Sequence, residues 1–161
     1  MTTESNTARN LLRHTLATLA YRGGKTLRDT GPDFARFRAG ERTRTPLEIL
    51  AHIGDLLEWA LSIARGKEEW KKADARIWDQ EVERFFAGLH AFDQYLASEE
   101  PLDCSPQQLF QAPIADALTH VGQLAMLRGL ADIPMRGENY FLADIVMGKV
   151  GAEQSAPRFE F

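Results

Sequence analysis

Asp116 and His120 are the residues of this chain whose types and spacing best suit chemistry. They stand four apart in the stretch Asp116-Ala117-Leu118-Thr119-His120-Val121-Gly122-Gln123-Leu124, the separation at which side chains of a helix lie one above the other. The same stripe runs on through Leu124 and Leu127, which makes it an inward-facing one. A carboxylate and an imidazole on a buried face need partners, because burying either unpaired costs several kcal/mol. A divalent metal is one such partner, and a third ligand then has to come from another helix. His52 is the candidate, lying beside the apolar stripe of an earlier helix in line with Ile49, Leu56 and Trp59.

Spacing alone leaves a plainer reading open. His52 and His120 also fit as buried histidines satisfied by ordinary hydrogen bonds. Asp116, near the expected start of its helix, also fits as a carboxylate facing the positive end of the helix dipole. The other two histidines are weaker candidates. His90 falls on the polar side of its helix, and His14, in line with Leu11, Thr18 and Tyr21, reads as a core or boundary histidine bonded to a hydroxyl.

The elements that must position these residues are helical. Strand signals are nearly absent, with few β-branched runs and no Asn-Gly or Asp-Gly hairpin turn. A first helix is expected over about 5–28, with Leu11, Leu12, Leu16, Leu19 and Tyr21 inward and Gly23-Gly24 weakening its last turn. Residues 33–44, carrying Phe34 and Phe37, read as a short helix or an ordered crossover. Thr45-Pro46-Leu47-Glu48 is the clearest boundary: Thr45 and Glu48 form a capping box around a proline at the first helical position. The second helix then runs to about residue 65, with Gly66 as its stop. A charged loop that includes Trp70 reads as solvated surface, and a third helix is expected over 74–97 with Ile77, Val82, Phe85, Phe86, Leu89, Phe92 and Leu96. Pro113 interrupts the next segment, so the fourth helix is placed at 113–130, and a short final helix at 138–147. The resulting expectation is an all-α fold: an antiparallel four-helix bundle with long crossover connections and a short C-terminal helix, over residues 1–150, followed by a tail at 151–161.

Bulk properties narrow the function classes. The 161 residues suit one domain, and a net charge of −4 argues against a nucleic-acid surface. No apolar run approaches the ~20 residues that span a bilayer. A polar beginning over residues 1–10 and the lone Cys104 lead to a cytoplasmic expectation. Cys104 has no neighbour suited to activating it, and no Ser-His-Asp order, phosphate-binding glycine loop or paired-cysteine knuckle is present.

With Pro46-Leu47-Glu48-Ile49-Leu50-Ala51-His52 opening one helix and His120-Val121-Gly122-Gln123-Leu124 in another, the chain resembles the DinB/YfiT-like family of four-helix-bundle proteins. Members commonly carry a histidine on the second helix and His-x-x-x-His-x-Gly-Gln on the fourth. The resemblance implies a divalent metal, zinc, nickel or iron, held by His52, Asp116 and His120. Asp116 stands where the family has its first fourth-helix histidine, a departure that related thiol-transferring members share through a carboxylate, usually glutamate. Aspartate is one methylene shorter, so it is expected to reach the metal only with a helix shift or through water. Gln123, Trp59 and Tyr21 are candidates for supporting the site or lining its pocket, and Gly122 for close helix approach. Arg128, Glu138 and Tyr140 are candidates for the mouth, though a plain structural role is the first reading of each of these residues. The implied activity is transfer of a low-molecular-weight thiol to a small electrophile, with hydrolysis by a metal-activated water as a variant. The alternative is a non-catalytic bundle that binds a small ligand or partner and has lost the metal. A homodimer is expected, using apolar surface such as Phe34, Phe37 and Trp70.

Overall fold

The computed structural model describes residues 3–161. It is all-helical: among the described residues no strand forms, and the only β-type pairing is an isolated bridge between Glu138 and Glu160. Four long helices dominate, α1 (Thr3–Leu27), α3 (Pro46–Ala64), α4 (Trp78–Ala97) and α6 (Ala115–Leu130), with short helices α2 (Pro32–Ala35) and α5 (Pro106–Leu109) in the connections. Helices α1 and α3 each pack against both α4 and α6, so the core lies at the centre of the four. It is filled by Leu16, Leu19, Leu50, Ile53, Leu57, Phe85, Leu89, Phe92, Ile114 and Leu124, all inaccessible or nearly so. Each such side chain contributes about 1.5–3 kcal/mol of transfer free energy. No helix is long and apolar enough to cross a membrane among the described residues.

Helix α1 buries Leu12, Leu16, Leu19 and Ala20, while Leu11 is 67% exposed. Leu11 belongs to the adjoining row with His14, Thr15 and Thr18, and that row faces outward, so His14 is also exposed. His14 is therefore not the core histidine that its spacing suggested. Gly23 does not end the helix. A Cβ built there would lie 2.5 Å from the Phe85 ring, so the glycine lets α1 approach α4 closely.

The start of α3 forms as its local sequence dictates. The Thr45 hydroxyl accepts from the Glu48 N–H (3.2 Å) and the Glu48 carboxylate accepts from the Thr45 N–H (2.7 Å). At the other end Gly66 takes φ +68°, and the Lys67 N–H reaches back to the Ser62 carbonyl, a glycine-closed helix end. In α2, Phe34 is buried edge-on against Trp78 with ring centroids 5.6 Å apart, and Phe37 packs on the core. Neither is the free apolar surface expected for pairing with a second copy.

Residues 67–77 form an irregular strap, and α4 begins at Trp78 rather than near residue 74. The cause is a buried charge cluster. The Arg84 guanidinium donates to Asp55 (2.7 Å), Glu58 (2.8 Å) and Glu81 (3.4 Å). Two of these acids also hold the strap: Asp55 accepts from the Ala73 N–H and Glu81 from the Arg76 N–H. These bonds replace the ones a helical turn would supply, and Ile77 is left 66% exposed. Burial opposes the charge on Arg84, but its bonds to Glu58 and Asp55 outweigh burial and raise its pKa.

Between α5 and α6 the chain does not break at Pro113. It passes through a π-helical turn at Phe110–Ile114, so the helical path begins at Pro106 and continues to Leu130. The wider turn accommodates the missing N–H and the bulk of the proline ring. The helix expected over 138–147 does not form. Only a 3₁₀ turn at Tyr140–Leu142 is present, capped by the Asn139 side chain, and Phe141 is 93% exposed. Glu138 is instead drawn inward, accepting from the Tyr21 hydroxyl (2.7 Å) and Lys25 (2.8 Å). Residues near the C-terminus return to this cluster through an ion pair between Lys25 and Glu160.

Candidate metal centre

His52 comes from the first half of α3, and Asp116 and His120 from the first two turns of α6, two helices that pack directly on one another. Because the helical path runs on from Pro106, Asp116 is not at a free helix end, and the helix-dipole account of it fails. Its carboxylate turns to the histidines. One oxygen lies 3.4 Å from His120 Nε2 and the other 3.6 Å from His52 Nε2. The two imidazole rings are edge-on, with centroids 4.8 Å apart.

One donor atom from each of the three residues lies within 4.8 Å of the others, and the group could hold a metal ion. Two bonds of about 2.1 Å meeting at a tetrahedral angle place their donors about 3.4 Å apart. The two Asp–His separations, each to a different carboxylate oxygen, are close to that value. Two imidazoles and one carboxylate form a donor set found for zinc, and for iron in a facial triad.

The rings are prepared for this role. His120 is buried, and its Nδ1 lies 2.8 Å from Gln123 Oε1. With the carboxamide oxygen as acceptor the proton sits on Nδ1, and Nε2 is the nitrogen facing Asp116. His52 has its pKa lowered, first by burial, then by His120 and Arg44, against the opposing pull of Asp116 and Asp55. The shift favours the neutral imidazole, the form that binds metal.

A cavity of about 550 Å³ opens over the three residues, lined also by Ala39, Thr43, Arg44, Ile49, Gln123, Met126 and Leu127. A second cavity, about 340 Å³, lies on the other side of His52 and shares Arg44 with the first. Trp70 of the strap packs edge-on against His52 at 5.7 Å and against Trp59 at 5.6 Å. The charged run around Trp70 is solvent-exposed, as its composition suggests, but the tryptophan itself covers a histidine of the cluster.

The remaining expected site residues are elsewhere. Trp59 is one ring removed from His52 and lines a separate cavity with Asp103 and Cys104. Tyr21 is buried and bonded to Glu138, and does not line the cavity over the cluster. Glu138 is buried in that same group, where Tyr140 meets Tyr21 edge-on. Arg128 is also buried, donating to the carbonyls of Thr26, Arg28 and Ile133, so it closes the end of α1 and faces no substrate. Gly122 has no atom within 4 Å of a built Cβ, so it serves no close helix approach. Burial raises the Cys104 thiol pKa, with Asp103 adding to it, which disfavours the thiolate. Sequence reasoning missed Arg44 and Trp70. Both sit on irregular segments, and only the apolar type of Trp70 within a charged run hinted at a contact.

No family model, no curated protein and no solved structure matches this chain.

Proposed function

We propose that this protein is a divalent-metal-dependent enzyme of the DinB-like type, an antiparallel four-helix bundle that transfers a low-molecular-weight thiol to a small electrophile. The observation that carries the reading is the convergence of His52, Asp116 and His120 from two packed helices at the floor of an open cavity. Bound there, a divalent metal supplies a Lewis acid that lowers the pKa of a coordinated thiol.

The chain's own residues supply the rest. Asp116 spans the two imidazoles and offsets part of the metal's charge. Gln123 holds the His120 proton on Nδ1 and so keeps Nε2 available. Trp70 closes one side of His52 to water, leaving approach from the larger cavity. That cavity falls in the range of small-molecule sites, and its Ile49, Met126 and Leu127 walls suit an apolar portion of a ligand.

Metal analysis of protein purified without chelators tests the reading. Wild type is expected to carry about one equivalent of zinc, nickel or iron, or to take it up on reconstitution, and His120→Ala to lose it. A wild type that stays metal-free after reconstitution overturns the enzyme reading in favour of a non-catalytic bundle.

A further inference from the structure

The segment between α2 and α3 is basic. Arg36, Arg38, Arg42 and Arg44 lie within it, against the single acid Glu41. Two of these arginines are engaged: Arg36 pairs with Asp33, and Arg38 donates to the Thr43 carbonyl and to Glu48. Arg44 makes no hydrogen bond or ion pair with the described residues, yet it lines both cavities beside His52. Two of the acids beside it are committed. Glu48 caps α3 and pairs with Arg38, and Asp55 is held by Arg84 and the Ala73 N–H. Asp74 lines only the smaller cavity. In the larger cavity the one carboxylate is Asp116, already directed at the two histidines.

We propose that Arg44 is an anion subsite of the metal cavity, so that the ligand is a small molecule carrying a carboxylate at a short distance from its metal-binding atom. This rests on the metal reading above. A guanidinium presents a planar fork of donors that matches a carboxylate in two parallel hydrogen bonds. The lining of the cavity divides the ligand into three parts. A sulfur would bind the metal held by His52, Asp116 and His120, releasing its proton to solvent. A short stem lies along Ile49, Met126 and Leu127, and an acidic end meets Arg44. With a divalent metal in place, Asp116 cancels only part of the positive charge, and Arg44 adds to the remainder. The cavity thus favours anions over neutral or cationic ligands.

The test uses the full chain loaded with cobalt(II), whose visible spectrum reports the metal and whose sulfur charge-transfer band reports thiol binding. Two probes are titrated, 3-mercaptopropionate and its uncharged amide. The metal alone gives the acid some advantage, so the informative quantity is the acid-to-amide affinity ratio in each variant. From wild type to Arg44→Gln that ratio is expected to fall about tenfold, as for loss of one charge-assisted pair. Affinity for the amide should be unchanged, and Arg44→Lys should keep part of the preference because it keeps the charge without the fork. A ratio that is the same in wild type and Arg44→Gln overturns the proposal while leaving the metal reading standing. Absence of a cobalt spectrum in the wild type overturns the metal reading, and this inference with it.

Discussion

Replacing Gln123 with leucine should weaken metal binding with little change in the fold. The Gln123 carboxamide is the partner of His120 Nδ1, at 2.8 Å, with His120 itself buried. Leucine keeps the bulk and the helix propensity but removes the acceptor. The cost divides in two. An Nδ1–H left without a partner in a mostly buried position destabilises the folded protein by about 1–3 kcal/mol, with or without metal. The second part falls on the metal-bound state alone. Without the acceptor the ring is free to rotate and to carry its proton on Nε2, the atom that must face Asp116 (3.4 Å away). Loss of such an orienting partner lowers metal affinity about 10- to 100-fold, or roughly 1.4–2.7 kcal/mol. Competition with a chromogenic zinc chelator at fixed pH measures this directly. Gln123→Glu supplies the opposite sign: its carboxylate still accepts from Nδ1–H and makes the ring more basic, so affinity should equal or exceed that of the wild type. If Gln123→Leu binds zinc within about threefold of the wild type, the orienting role assigned to Gln123 is wrong.

Arg84→Met should destabilise the protein by about 3–5 kcal/mol in urea unfolding, because it leaves Asp55 and Glu81 buried without their cation. The same variant should shift tryptophan fluorescence to the red as the strap carrying Trp70 loosens from His52; an unchanged spectrum would contradict the clamp. Gly122→Ala should stabilise by roughly 0.5–1 kcal/mol, since the position is helical and a methyl group there meets open space. A loss of stability would mean that something packs on that face. Acid should weaken the Tyr21–Lys25–Glu138 cluster. Burial raises the Glu138 pKa, but hydrogen bonds from Lys25, Tyr21 and the Arg158 N–H outweigh burial and leave it below 4.5. A carboxylate with a depressed folded pKa contributes stability that is present above its unfolded value and lost as pH falls through the folded one. Melting temperatures of wild type and Glu138→Gln should therefore differ at neutral pH and converge as the pH drops below about 4.5.

Local signals carried over into the structure most faithfully. The capping box at Thr45 and Glu48 and the glycine stop at Gly66 involve residues three to five apart, and both formed as their chemistry requires. The pairing of Asp116 with His120 is equally local, an i to i+4 contact on one helix. His52 was legible as a histidine beside an apolar stripe on another helix, but that stripe did not say which helix it faced. The misread parts depend on residues far apart in sequence. Residues 74–77 stay outside α4, next to an Ala73 N–H that Asp55, on another helix, takes, and no pattern within the segment encodes that. Gly23 and Gly122 look alike in sequence, yet one faces the Phe85 ring and the other open space. Pro113 reads as a break, whereas a π turn carries the helix through it and brings Asp116 away from a helix end. Arg44 lies outside any periodic element, so its place beside the cluster was not legible before the loop was folded.

The most direct test of the metal centre is an anomalous difference map from crystals of the zinc-reconstituted protein, recorded on both sides of the zinc absorption edge. A single strong peak is expected within bonding distance of His52 Nε2, His120 Nε2 and an Asp116 oxygen, about 2.0–2.2 Å from each. No peak there at full zinc loading, or a peak held by other side chains, would contradict the account.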